Sequence, residues 1–332
     1  MPRIAVISTA HIHSKQFLKD IAALTSAGHP ELIWDANEER GRQRAAENNC
    51  RFVADLGKAA ADPQVDGFVI CAENTQHLPL LEKVLPIGKP VMCEKPLATT
   101  TADAQCIASL AARHKSVLMS GYFQPFQPGN RGVVSVLEAA ALGQVTHANF
   151  RNAHHAAYGR WFDSPELAWF ADPDLAGGGA LLDMGTHAVH LLRHLFGPVD
   201  EVWSMRGNVS GNYDRVDDYG LILMRFASGV LGRVEAAWVF TGGHQGLEII
   251  GTKKSLWMTD RLVMGGPGEP RTDVPAATAR PDRIARLVAA IRGELSAEEL
   301  KHDLEACLDT VLIMAAAYES GDTGRWQAVE RL

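Results

Sequence analysis

The chain has 332 residues, 46% of them hydrophobic, with 32 Lys and Arg against 39 Asp and Glu for a net charge of −7. That length and apolar content exceed what one ordinary core needs and exclude a disordered chain, so two domains are expected. An acidic balance with no basic cluster excludes nucleic acid as a partner, and no apolar run reaches the roughly 18–20 residues of a membrane span.

Residues 3–8 read as a strand with no signal-peptide pattern before them, and a cytoplasmic protein is expected. A helix over 14–26, a strand over 31–35, a helix over 38–49, a brief strand over 51–53 and a helix starting at Asp55 follow. Continuous apolar strands over 67–71 and 90–93 flank a helix over 75–85 that ends near Gly88, and a helix over 102–114 with a strand over 117–120 completes a doubly wound parallel unit near residue 121. The rhythm then changes. After a helix over 131–141, long runs at 144–154, 201–209, 219–227, 230–240 and 247–250 predict a mostly antiparallel sheet with one covered face. Helices over 282–292 and 297–319 close the chain, and 264–280, rich in Pro and Gly, reads as a flexible loop. Cys50, Cys71, Cys93, Cys106 and Cys307 form no Cys-x-x-Cys pair and read as thiols of a reducing compartment.

The turn after the first strand, Ser8-Thr9-Ala10-His11-Ile12-His13-Ser14, lacks the three glycines of a pyrophosphate-binding turn. Ser8 and Ala10 are small enough for close backbone approach, Ser14 could cap the helix, and the two imidazoles could donate to a phosphate. An ordinary strand–helix turn is the other reading. Asp35 stands where a carboxylate accepts from adenosine ribose hydroxyls and repels a 2′-phosphate, although it could merely cap the next helix. Cys71, Ala72, Glu73 and Asn74, and later Glu94 and Lys95, close strands at their carboxyl ends, where open parallel sheets bind ligands.

In the second half, Asp183 and His187 follow a glycine run, Gly177-Gly178-Gly179, and share one helical face. A carboxylate beside an imidazole raises its basicity, as a general base requires, whereas a plain surface pair is the alternative. His190 and His194 extend the stripe and raise a zinc hydrolase as a rival, but four ligands over three turns cannot converge on one ion, so no metal is expected. Residues 151–161 are dense in hydrogen-bonding and stacking groups, with Arg151, His154, Tyr158 and Trp161 as candidate substrate contacts.

Glu94-Lys95-Pro96 at a strand end, followed by Gly-Gly-Gly-x-Leu-x-Asp-x-Gly-x-His, resembles the Gfo/Idh/MocA oxidoreductases, with Asn74 and His77 fitting a Pro-Asn-x-x-His segment. The resemblance implies a Rossmann domain over 1–121, a substrate-binding and oligomerisation domain over 122–332 with a large, mostly antiparallel sheet, NAD as cofactor, and homodimers or homotetramers through that sheet. It implies Lys95, Asp183 and His187 as the catalytic group acting on a sugar, cyclitol or polyol hydroxyl, a cofactor site over Ser8–His13, Asp35, Cys71–Asn74, His77, Glu94 and Lys95, and Tyr122 and Gln124 among the substrate contacts. His190 stands where the family commonly has Asp, and Tyr122–Pro128 lacks the family's Arg. A cofactor-assisted hydrolase or lyase and a non-catalytic binding protein are the other readings.

Overall fold

Six short strands with apolar residues on both faces, β1 (Ile4–Ile7), β2 (Leu32–Trp34), β3 (Arg51–Phe52), β4 (Gly67–Ile70), β5 (Val91–Cys93) and β6 (Leu118–Ser120), make a parallel sheet in the order β3-β2-β1-β4-β5-β6. This is the doubly wound order with its switch point between β1 and β4. The structure, a computed structural model, describes residues 2–25 and 28–332, so Ser26 of the expected first helix lies outside them. Alternation along β1 feeds two cores. Ile4 and Val6 pack with Phe17 and Ile21 of α1 (Ser14–Leu24), Ala45 of α2 (Glu38–Glu47) and Leu287 of a late helix. Ala5 and Ile7 pack with Ala59 of α3 (Leu56–Ala60), Leu81 of α4 (His77–Val84), Ile107 of α5 (Thr101–His114) and Leu308 near the chain's end. Side chains of Asn37, Asp55 and Thr100 cap α2, α3 and α5, whereas α1 has no side-chain cap.

After α6 (Pro128–Glu138) the second sheet begins with β7 (Val145–Ala153), and two helices, α7 (Pro173–Ala176) and α8 (Ala180–Phe196), precede its next strands. These are β8 (Val199–Gly207), β9 (Tyr219–Phe226), β10 (Leu231–Ala237), β11 (Gly246–Gly251), β12 (Ser255–Met258), β13 (Leu262–Gly265), β14 (Thr272–Asp273) and β15 (Gln327–Ala328). The order is β14-β13-β12-β11-β7-β10-β9-β8-β15, antiparallel except where β7 and β10 run side by side in parallel. One face packs on α8 and on α10 (Ala297–Thr323), as expected. The loop expectation for 264–280 is corrected: β14 pairs with β13, and the amides of Ala277 and Arg280 bond to Pro128 and Phe126. These strands are too short to write an alternating pattern in sequence. α9 (Arg283–Ile291) and the first half of α10 return to cover the first sheet.

Candidate active site

The carboxyl ends of the first sheet face the start of α8. Lys95, just past β5, has a side chain only 4% exposed, and its Nζ lies 2.7 Å from Asp183 Oδ1. Trp238 Nε1 donates to the other carboxylate oxygen at 3.1 Å, and His154 Nε2 stands 4.0 Å from it. Burial opposes ionisation of Asp183, but the Lys95 ammonium and His154 overcome it and hold the carboxyl well below the usual range. The glycine run sets where α8 begins. Gly177 has φ +76°, and a Cβ on Gly179 would collide with the backbone of Asp217, whose carboxylate accepts from the amides of Gly179 (3.3 Å) and Leu181 (2.7 Å). A distant carboxylate thus serves the orphan donors of the helix N-terminus.

His187 lies one turn beyond Asp183, nearly buried, with Nδ1 sealed from solvent and unpartnered, which leaves Nε2 as the nitrogen able to meet a ligand. The expected Asp183–His187 hydrogen bond is absent among the described residues, because Lys95 and Trp238 engage the carboxylate. Burial, then the Lys95 charge, push the His187 pKa well below its ordinary value, against the weaker pull of Asp183. The imidazole is therefore neutral, and the sequence-based expectation of raised basicity is corrected. Tyr122 meets it edge-on at 5.9 Å and Phe123 at 5.6 Å.

Tyr122 is itself committed to the scaffold: its hydroxyl bonds Thr186 and its ring stacks on His190 at 4.0 Å. His190 Nε2 is 3.7 Å from Cys307 Sγ, and burial pushes its pKa down to about 3, while His194 neighbours His302. Neither gathers with His187 around one point. Among the expected substrate contacts, His154 stacks on Trp161 (4.8 Å) beside Asp183. Tyr158 is exposed, and Gln124 keeps a buried Oε1 without a partner. Arg151 does not belong with them. Strand alternation turns it away from α8, onto the open sheet face, where it pairs with Glu235 at 2.9 Å.

The turn after β1 is tightly knit. Ser8 adopts φ +68°, the left-handed region usually left to glycine, and its Oγ accepts from the Ala10 amide at 3.3 Å. The His11 amide donates to Cys71 O (3.0 Å), and the Ser14 hydroxyl donates to Thr9 O (3.1 Å). His11 sits buried beneath Trp169 and Phe170, its pKa pushed down to about 3 by burial against the pull of Glu94. The His13 amide donates to His11 Nδ1 at 3.2 Å, which places the remaining proton on Nε2, a buried donor with no partner. His13 Nδ1 lies 2.9 Å from Glu94 Oε1. Burial resists the Glu94 charge, but His13, His11 and Lys95 hold the carboxyl well below its usual range. Gly121 makes room for it, since a Cβ there would lie 2.8 Å from Glu94 Oε2.

Ligand atoms of His11, His13 and Glu94 fall within 4.8 Å of one another, though they already hydrogen-bond among themselves. The amides of Ile12 and Lys15 have no acceptor among the described residues, and α1 is uncapped. Free amides, an uncapped helix N-terminus and an orphaned imidazole N–H are donors awaiting an anion, so this turn fits the pyrophosphate of a dinucleotide without glycines. Other residues expected at the cofactor act as braces. Asn74 Nδ2 donates to Ala176 O (2.8 Å), His77 Nδ1 donates to Pro96 O (2.8 Å), and Ala72 is buried. Sequence reasoning missed Trp238, Asp217, Trp169 and Arg40, all supplied by long-range contacts except Arg40, whose place five residues after Asp35 was a usable signal.

Residues 2–122 match the model of an oxidoreductase family described as having an NAD-binding Rossmann fold, and residues 131–257 match the GFO/IDH/MocA C-terminal domain. The chain is 26% identical over 313 residues to 1,5-anhydro-D-fructose reductase of Ensifer adhaerens, covering 90% of this chain and 92% of that one. It is 30% identical over 156 residues, 46% of each chain, to inositol 2-dehydrogenase 1 of Saccharopolyspora erythraea. In fold it is similar to an inositol dehydrogenase homologue complexed with NAD+ from Azotobacter vinelandii, with a TM-score of 0.84, 20% identity, and 99% and 97% of the two chains covered. A levoglucosan dehydrogenase in complex with NADH superposes with a TM-score of 0.82 at 20% identity over the full length of both chains.

Proposed function

This chain belongs to the Gfo/Idh/MocA oxidoreductases and is an NAD-dependent oxidoreductase, and from that premise we propose that it transfers hydride at a secondary hydroxyl of a sugar, cyclitol or related polyol. The observation that carries this reading is a neutral His187 facing a buried Lys95–Asp183 ion pair in one cleft. NAD, when bound, supplies the hydride acceptor. His187 Nε2 takes the hydroxyl proton, for which a neutral imidazole is the required state. Lys95 Nζ donates to the substrate oxygen, orients it, and favours negative charge developing there. Asp183 fixes Lys95 by its 2.7 Å contact and is kept anionic by it. Trp161 and His154 form a stacking wall of the kind that suits a polyhydroxylated ring, with His154 as a further polar contact. Free Ile12 and Lys15 amides and the His11 N–H hold the pyrophosphate.

The relatives named above supply the panel: inositols, levoglucosan and 1,5-anhydro sugars with NAD, and 1,5-anhydro-D-fructose with NADH, each followed by NADH absorbance. Turnover on one class that vanishes in Lys95→Met supports the reading; turnover indifferent to Lys95 and His187 overturns it. Self-association through the second sheet's open face, where Met205 and Leu231 are exposed beside Arg233 and Glu235, belongs to the same proposal. No helix among the described residues is long and apolar enough to cross a membrane.

A further inference from the structure

Asp35 does not present a carboxylate to solvent. Its side chain is 0% exposed. Oδ2 accepts from the Thr9 amide (2.8 Å), the Thr9 hydroxyl (2.7 Å) and Arg40 Nε (2.9 Å), while Oδ1 accepts from the Asn37 amide (2.9 Å) and Arg40 Nη2 (2.7 Å). Five donors fill the roughly four lone-pair sites of a carboxylate. None remains for ribose hydroxyls, and the planar guanidinium neutralises the charge across both oxygens. The two reasons for expecting Asp35 to reject a 2′-phosphate, an exposed charge and free acceptors, are both absent.

What faces the open space is Arg40 itself. Its side chain is 21% exposed, and Nη1 has no acceptor among the described residues. With Thr9, Ala10, Lys15 and Arg44 it lines a cavity of about 110 Å³ directly beside the phosphate turn, under Ser164 and Glu166. Glu166 bridges Lys15 (3.0 Å) and Arg44 (3.1 Å) across this cavity but is 56% exposed, so it can swing into water at little cost. Glu73, 3.8 Å from Arg40 Nη2, is the only other carboxylate within ion-pair distance of that guanidinium among the described residues.

We propose that Arg40, with Lys15 and Arg44 behind it, forms a phosphomonoester subsite that receives the 2′-phosphate of NADP, so that the enzyme accepts NADP alongside NAD. The inference rests on the reading that the Ser8–Ser14 turn holds a dinucleotide. Arg40 turns the discrimination from repulsion into attraction, and Asp35 serves only to aim the guanidinium.

The test is calorimetric titration of the native chain and of Arg40→Ala with NAD+ and with NADP+. The native chain should bind NADP+ within about tenfold of NAD+. Arg40→Ala should weaken NADP+ by about 10–100-fold, the range set by one or two charge-assisted bonds, with NAD+ affinity unchanged or improved as Asp35 is released. Because Arg40→Ala also uncovers a buried carboxylate and could unfold the turn, the native chain is titrated in parallel with adenosine 2′,5′-bisphosphate and adenosine 5′-monophosphate. The bisphosphate should bind about tenfold more tightly, and less so as salt is raised. Native binding of NAD+ more than about a hundredfold tighter than NADP+ overturns the subsite while leaving the dinucleotide reading standing. Equal loss of both cofactors in Arg40→Ala makes the residue a structural clamp and also overturns it. Failure of the native chain to bind either cofactor overturns the dinucleotide reading and this inference with it.

Discussion

Replacing Asp183 by Asn, Lys95 by Met, and both together separates the buried ion pair from its parts. At 2.7 Å and an effective dielectric of about 20, the attraction amounts to about 6 kcal/mol, a ceiling from which desolvation must be subtracted. Lys95 is 4% exposed and Asp183 15%, so either single substitution strands a charge that water cannot reach, at a cost of about 3–5 kcal/mol in folding stability. The double variant strands neither. It should be more stable than the sum of the single losses predicts by about 3 kcal/mol, read as a coupling energy from urea denaturation of all four chains. Trp238→Phe, which removes one neutral donor from the same carboxylate, should cost only about 1–2 kcal/mol. Additive losses, with coupling under about 0.5 kcal/mol, would refute the view that Asp183 exists to hold the Lys95 charge in place.

His187→Ala should slow single-turnover hydride transfer by roughly 10²–10⁴-fold with NAD affinity retained. Because burial lowers the pKa of His187, the acid limb of substrate oxidation should lie below pH 6.5; a limb above that value contradicts a neutral resting imidazole. His11 and His190, both pushed to about 3 by burial, and His187 are neutral in the fold and bind protons near pH 6.5 when unfolded. Their contribution is fully present above pH 6.5 and is lost as pH falls toward the folded values. Stability should drop by about 1.4 kcal/mol per pH unit for each, and urea midpoints unchanged between pH 7 and pH 5 would be inconsistent with their burial as neutral groups. Gly179→Ala should sharply lower the melting temperature by driving a Cβ into Asp217. Gly185→Ala, in the same helix with 3.4 Å to its nearest neighbour, should be neutral or slightly stabilising, and similar melting curves for the two would refute the packing account of the α8 start.

The parallel sheet was legible because its strands are short, continuous apolar runs between capped helices, and the long strands β7 to β10 because they alternate. β12, β13 and β14 were not, since two to four residues cannot establish a period. Lys95, Asp183 and His187 announced themselves by motif, but their electrostatic relation did not. The i, i+4 spacing suggested that Asp183 serves His187, whereas Trp238 and Lys95, 55 and 88 residues distant, capture the carboxylate. Arg151 misled for a related reason: its neighbours in sequence are polar, and only the register of β7 reveals which face it takes. Asp35 was placed correctly at the end of β2 and misread in charge, because one side chain five positions on cancels it.

The return of α9 and α10 to the first sheet carries a consequence for how this protein comes off the ribosome. The dinucleotide-binding sheet is the first part synthesised, yet Leu287 and Leu308 in its two cores are among the last residues to emerge. The nascent sheet must wait with apolar flanks uncovered while the entire second sheet is translated, which makes it a natural client for a holding chaperone. A fragment ending near residue 121 inherits that vulnerability permanently. A circular permutant that begins near residue 281 and joins the old termini through a linker would deliver both covering helices before the sheet that needs them.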